Sequence, residues 1–290
     1  MKYLASLLLL STPFCLKAQH SLQKLWETDT IVAVPESVHP VPGQPQLYLS
    51  LIDGGGWDDD AKGGIGLLDT DGTHYNGAWI TGLSAPKGMG VYGDRLYVAD
   101  INRVVVIDRT KGLILKKIPI EGSVNLNDIS VDPANGDVYV SDSKTGKLHR
   151  IKGDIPSLYM QDLPGINGLK VSQKGLYILA RRQVLLADAA KNTTKITDLP
   201  NGGDGVEEVG NGDLIVSEWL GNVFYVHADG EKEQLLDRKA EHKNTADIWY
   251  TQSTRTLYVP GFNGKTVTAY RLVTEKKTES SPHQLRSKVQ

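Results

Sequence analysis

Leu96-Tyr97-Val98 and Val138-Tyr139-Val140 open two stretches that read almost alike: an apolar strand, a polar turn, then a second apolar strand. The signature returns as Leu47-Tyr48-Leu49, Leu176-Tyr177-Ile178, Leu214-Ile215-Val216 and Leu257-Tyr258-Val259. Following strands include Val104-Val105-Val106-Ile107, Lys147-Leu148-His149-Arg150-Ile151 and Val223-Phe224-Tyr225-Val226. Asp71-Gly72, Asn135-Gly136, Asn211-Gly212, Asp229-Gly230 and Asn263-Gly264 supply turn residues that tolerate positive φ. Short strands at regular spacing between such turns predict an all-β fold. A period of about forty residues with four strands per repeat predicts a propeller. One four-stranded sheet cannot bury both of its faces, whereas sheets stacked around an axis can. The expectation is a single-domain six-bladed β-propeller of four-stranded antiparallel blades over residues 19–273.

The ring must close. The last repeat, Asn244 to Leu272, supplies three strands. The segment Leu22 to Thr30 precedes the first inner strand, the place that Leu113 to Ile118 and Glu233 to Leu236 hold in other repeats. It is therefore expected to be the outer, fourth strand of the last blade.

The ends read differently. Met1-Lys2-Tyr3, the apolar run Leu4 to Leu10 and Leu16-Lys17-Ala18 before Gln19 read as a secretory signal peptide over residues 1–18. The apolar run is far short of the ~20 residues a bilayer needs, although an uncleaved anchor stays open as the minor reading. A secreted or periplasmic protein with no later membrane span is expected. Cys15, the one cysteine, would leave with the leader, which excludes disulfides and thiolate chemistry from the mature chain. Residues 274–290 are polar and aperiodic, and a disordered tail is expected. The chain has 32 basic and 34 acidic residues with no block of five like charges, which argues against nucleic acid or an anionic membrane as partner. A monomer is expected.

Aligning the inner strands places Glu36, Lys87, Asn127, Asn167, Asp204 and Asp247 at one height around the channel. Carboxylate and amide oxygens converging on an axis suit a hard divalent cation, calcium first, with zinc or magnesium as alternatives. The same residues would equally suit a hydrated channel in which Lys87 supplies the counter-charge.

Pro35-Glu36-Ser37, Ile166-Asn167-Gly168-Leu169 and Gly203-Asp204-Gly205-Val206 resemble the three metal-ligand motifs of the senescence marker protein/gluconolactonase family, which includes luciferin-regenerating-enzyme-like propellers. Leu126-Asn127-Asp128, with Asp132-Pro133 and Gly136-Asp137, resembles the third-blade motif, whose Asn lies beside metal and substrate. The paraoxonases set Glu, Asn, Asn and Asp around calcium in a similar way. The resemblance implies a metal-dependent hydrolase of a lactone or related ester. Glu36, Asn127, Asn167 and Asp204 would hold the ion, and Asp204, if not purely a ligand, would take a proton from the attacking water. Lys87, Asn127 and Asp247 would meet the substrate. The sugar-lactone enzymes carry Arg two positions before the third-blade Asn; Asn125 stands here, so an aldonolactone is one candidate among several. His39 at the same mouth could orient an anion or move protons, but it reads first as a surface histidine.

Other motifs are plainer. Gly264-Lys265-Thr266 lacks the earlier glycine of a phosphate-binding loop and reads as a hairpin turn. Asp58-Asp59-Asp60 reads as a solvated loop, and the surrounding Asp53 to Gly64 insertion could overhang the channel mouth as a lid. Asp100, Asp142 and Glu218, which end the second strands of their blades, are expected to bond hairpin backbone. Gly-x-Ser-x-Gly and His-Glu-x-x-His are both absent. The rival reading is a non-catalytic propeller that binds a ligand or protein partner, with a structural ion or none.

Overall fold

The computed structural model describes residues 19–275. The leader and all but the start of the tail lie outside that span. β1 (Gln19–Glu27) comes first in the chain and last in the ring. Blade one is β2 (Pro35–Pro40), β3 (Gln46–Leu51), β4 (Gly63–Asp69) and β5 (Asn76–Leu83). Blade two is β6 (Pro86–Tyr92), β7 (Arg95–Asp100), β8 (Arg103–Asp108) and β9 (Leu113–Pro119); blade three is β10 (Leu126–Val131), β11 (Val138–Asp142), β12 (Lys147–Lys152) and β13 (Ile155–Met160). Blade four is β14 (Ile166–Ser172), β15 (Gly175–Ala180), β16 (Gln183–Ala187) and β17 (Thr193–Asp198); blade five is β18 (Gly203–Gly210), β19 (Asp213–Glu218), β20 (Asn222–Val226) and β21 (Lys232–Asp237). Blade six takes β22 (Trp249–Thr251), β23 (Thr256–Gly261) and β24 (Thr266–Glu275) from the C-terminal end and β1 as its outer strand. Among the described residues no helix is long and apolar enough to cross a membrane.

Burial explains the recurring Leu-Tyr-Val signature. It sits on the second strand of each blade, where both faces meet a neighbouring sheet, so β3, β7 and β19 are buried at every position but the first. The outer strand β9 alternates instead, with one face wet. The apolar clusters lie between blades. Val104 and Val106 of blade two pack with Leu126, Ile129 and Val140 of blade three. Val38 and Leu49 of blade one pack with Tyr258 and Val267 of blade six. Each such Leu or Val contributes about 1.5–3 kcal/mol when fully buried.

The closure is as expected. β1 runs antiparallel to β24 from Gln19 opposite Glu275 to Glu27 opposite Thr268, with a bulge between Lys24 and Trp26. β24 thus extends through Thr274 and Glu275, the first two residues read as tail, because β1 pairs with them. The Trp26 indole N–H donates to the Thr70 carbonyl at 3.1 Å and so ties the closing strand to blade one. Glu27 ties it the other way, accepting from Arg238 at 2.8 Å and Lys243 at 2.7 Å.

Arg238 is buried, and Glu27 is the carboxylate that meets its guanidinium on the closing strand. Burial works against the ionised Glu27 carboxyl, but Lys243, Arg238 and Lys24 outweigh it and hold its pKa at about 2, below the ordinary 4.5. A depressed carboxyl contributes stability above its unfolded pKa and loses it as the pH falls through the folded one. Glu27→Gln is therefore expected to cost about 1–2 kcal/mol at neutral pH, with the partial exposure of the pair keeping the figure low. Urea unfolding from neutral pH down to about pH 2 should show the gap from wild type narrowing below about pH 4.5. A gap that does not change with pH would mean that the ion cluster does not hold the closure.

Candidate functional site

The inner strands do not pair evenly with their neighbours. Each of the first five has a β-bulge: between Pro35 and Ser37, Pro86 and Met89, Leu126 and Ile129, Ile166 and Leu169, and Gly203 and Val206. Glu36, Lys87, Asn127, Asn167 and Asp204 all sit inside these bulges. A bulge interrupts the ladder and re-aims a side chain, here at the same place in five blades. Glycine follows three of the five because the inner strands converge closely. A Cβ on Gly88 would lie 2.6 Å from Asp128 Cα, and one on Gly168 would lie 2.3 Å from the Asp204 carbonyl oxygen.

A bulge leaves a backbone N–H without its ladder partner, and alternate blades solve this with one serine. Ser50, Ser141 and Ser217 each follow the Leu-Tyr-Val signature or its equivalent. Their hydroxyls accept from Ser37 N–H at 2.8 Å, Asp128 N–H at 2.9 Å and Gly205 N–H at 2.8 Å. Each accepted N–H belongs to the residue after Glu36, Asn127 or Asp204, so the serines lock the backbone that carries those side chains. Asp100 and Asp142 brace the chain entering the same strands. Asp100 accepts from Ser84 and Ala85 N–H, and Asp142 from Val124 and Asn125 N–H.

The site is polar, buried and incompletely bonded. Asn167 donates its side-chain N–H to Asp204 Oδ1 at 2.8 Å. Asn127 donates to Ser143 Oγ at 3.0 Å, and Ser143 donates on to the Ile166 carbonyl at 2.6 Å, just ahead of Asn167. Both amides thus commit their NH₂ groups to protein. Glu36 Oε2 and Asp204 Oδ2 are buried and have no hydrogen-bond partner. Burial raises the Glu36 pKa well above the ordinary range, against the pull of Lys87, and the Asp204 charge raises it further. Burial pushes Asp204 up to about 7, with the Asn167 bond and Lys87 opposing. Lys87 is itself buried, which lowers its pKa against the pull of Glu36 and Asp204. Its ammonium lies 4.1 Å from the centroid of Trp57, a cation–π contact. Trp57 belongs to the Asp53 to Gly64 insertion, which therefore reaches over Lys87. Asp59 in that loop is anchored, accepting from Arg103 at 2.7 Å.

Two residues lie elsewhere than expected. Asp247 is not level with Glu36. Trp249 pairs with Tyr258, so Ile248 is the equivalent of Val38 and Ala246 that of Glu36. Asp247 bridges Ser37 in parallel, and its carboxylate accepts from Ser37 Oγ at 2.6 Å. It lies one residue along the channel, at the level of Asp128. The inner strand of blade six is only three residues long and begins at Trp249, beyond this position, so alignment by polarity slipped by one. Burial pushes Asp247 up to about 8, with the Ser37 bond opposing and Asp204 and Glu207 reinforcing the rise. The Asp128 pKa is raised by burial and then by Asp247.

His39 is not a surface histidine. It is buried, its ring centroid is 4.2 Å from that of Trp249, and burial lowers its pKa to about 4. It lines a cavity of about 320 Å³ further along the channel, with Asp128, Lys170, Glu207 and Asp247. Residues that the sequence reading did not single out are Asp128, Ser143, Trp57 and the three serines. The serines had a signal, since they hold one repeat position in alternate blades.

Ser217 also donates to the Ala246 carbonyl at 2.8 Å. Ser217→Ala is expected to orphan that carbonyl and the Gly205 N–H and to cost about 1–3 kcal/mol. Chemical denaturation checks this, and an unchanged midpoint would mean that the bulge is satisfied without the hydroxyl.

No protein-family model matches the chain, and no curated protein matches it. Solved structures do. A protein classed as a gluconolactonase superposes over 89% of this chain and 94% of its own, with a TM-score of 0.65 at 15% identity. Luciferin-regenerating enzyme gives a TM-score of 0.62 at 14% identity over 88% of this chain and 95% of its own. A catalytically inactive variant of virginiamycin B lyase from Staphylococcus aureus, with quinupristin, gives 0.61 at 12% identity over 89% and 100%. The named proteins differ in chemistry, and at these identities the likeness establishes the overall fold alone, that of a β-propeller.

Proposed function

We propose that the channel mouth holds a divalent cation, calcium first, and hydrolyses a lactone or related ester. The observation that carries this is the pair of orphaned oxygens, Glu36 Oε2 and Asp204 Oδ2, buried beside two amides whose NH₂ groups are already committed. An all-oxygen donor set of two carboxylates and two amide carbonyls suits a hard cation. Buried unpaired carboxylate oxygens are costly and call for an occupant. Glu36, Asn127, Asn167 and Asp204 would be the ligands, and a cation there would polarise the substrate carbonyl.

The chain's own residues then have distinct tasks. Asp204 would take the proton from the attacking water. Water adds to the carbonyl carbon, the ring C–O bond breaks, and the proton passes to the leaving oxygen to give a hydroxy acid. Lys87 and the second N–H of the Asn127 amide, the one not given to Ser143, would orient the carbonyl and ring oxygens. Asp247, one residue deeper, would meet only a substrate that enters the channel.

Calorimetric titration of calcium, then magnesium, into metal-stripped protein is expected to show saturable binding that Asp204→Ala and the isosteric Asp204→Asn abolish. A panel of small lactones and aryl esters should show metal-dependent turnover in wild type and about a hundredfold less or none in either variant. A folded wild type that binds neither ion refutes the reading and leaves a ligand-binding scaffold. Lys87 brings a like charge to the same carboxylates. Lys87→Met is therefore expected to tighten cation binding about tenfold while lowering kcat/KM. Weaker binding in this variant would mean that the ammonium organises the site instead of competing for it.

A further inference from the structure

A second cluster lies far from the channel, at the seam where the ring closes. His20 is on the closing strand β1, His227 follows β20, and Glu233 is on β21, the outer strand of blade five. His227 Nε2 is 2.6 Å and His20 Nδ1 3.0 Å from the same oxygen, Glu233 Oε1. The other carboxylate oxygen, Oε2, accepts the His20 backbone N–H at 2.7 Å. One oxygen is thus pinned to backbone, and the other faces two imidazoles.

The imidazoles are held in place. His20 stacks on Tyr225 with centroids 3.7 Å apart and planes 8° from parallel. The Tyr225 hydroxyl donates to Asp213 Oδ2 at 2.7 Å, which fixes the platform. The side chains of His20, His227 and Glu233 are 8%, 14% and 23% exposed, so the site is shielded yet open to an ion. One ligand atom from each residue lies within 4.8 Å of the others. Zinc bonds of about 2.0–2.2 Å bring such atoms within about 3.5 Å of one another, a small adjustment from this arrangement.

We propose that His20, His227 and Glu233 form a transition-metal site, suited to zinc, that clamps the closing strand to blade five. Two imidazoles and one carboxylate are a donor set for a borderline ion, unlike the all-oxygen set in the channel. Three protein ligands leave a fourth position for water. Binding requires the ligating nitrogen of each imidazole to be free of its proton, so each bound ring would carry its N–H on the far nitrogen. His20 and Glu233 are 213 residues apart in the chain, so the ion would bridge the two ends of the fold and stabilise the closed ring.

The test uses the full chain carrying Asp204→Asn, so that the channel proposal does not enter. Zinc titrated into this protein is expected to bind at one equivalent and to raise the thermal midpoint with concentration. Cobalt should give the visible absorption of a low-coordinate site, and excess calcium should displace neither ion. His227→Asn should weaken zinc binding at least a hundredfold and remove the midpoint shift. Glu233→Gln, which keeps one oxygen for the imidazole N–H groups but turns its NH₂ toward the His20 backbone N–H, should weaken it at least tenfold, with the far-ultraviolet circular dichroism of the metal-free variant checking that the fold is kept. Zinc affinity that survives both substitutions, or a thermal midpoint indifferent to zinc, overturns the proposal and leaves a hydrogen-bonded seam.

Discussion

The antiparallel pairing of β1 with β24 turns a stack of sheets into a ring. Each blade buries its faces only against its neighbours, so an open stack would leave blade one and blade six with one wet face each. Val38 and Leu49 meet Tyr258 and Val267 only once the ring is shut. The closing strand is accordingly tied on both sides, through Trp26 to blade one and through Glu27 and His20 to residues at or beside the outer edge of blade five. With no cysteine in the described residues, backbone pairing, a buried arginine ion pair and an imidazole–carboxylate seam do what a disulfide does elsewhere.

The site is a consequence of the same geometry. Inner strands that crowd an axis leave no room for side chains at some positions, hence Gly88 and Gly168. They bulge at others, hence the re-aimed Glu36, Lys87, Asn127, Asn167 and Asp204. The serine and aspartate braces satisfy the backbone around each bulge, so the unmet polar demand falls on the side chains. Raised carboxyl pKa values at Glu36, Asp128, Asp204 and Asp247 express that demand. It stores destabilisation where a ligand can relieve it, which is the arrangement expected of a binding or catalytic centre.

The channel also has two chemically distinct parts. The bulge level is acidic and amide-rich, with one lysine. Further along, His39 lies against Trp249, and Lys170 pairs with Glu207 at 2.7 Å around a cavity large enough for a small molecule. A similar propeller fold in proteins of different named chemistry shows that the scaffold does not select a reaction. Any chemistry particular to this chain therefore lies in the residues of the bulges and of the deeper cavity.

Periodicity made the fold legible from the chain alone. Six Leu-Tyr-Val signatures, Asn-Gly and Asp-Gly turns and an unpaired N-terminal strand determine blade number, strand order and closure, because burial on both faces of a pleated sheet leaves a pattern that needs no tertiary information. The bulge residues were legible for the same reason, being one repeat position read five times. The sixth was not. In blade six the regular inner strand starts only at Trp249, and polarity alone chose Asp247 over Ala246. The tertiary structure decided that step, since register depends on which backbone pairs with which, and a shift of one residue changes both the height and the face of a side chain. It also decided what no local pattern encodes: that His39 is buried under Trp249, that Trp57 reaches Lys87, and that His20 meets Glu233 across 213 residues. These contacts join different blades, and the distance between blades follows from the packing of the whole ring.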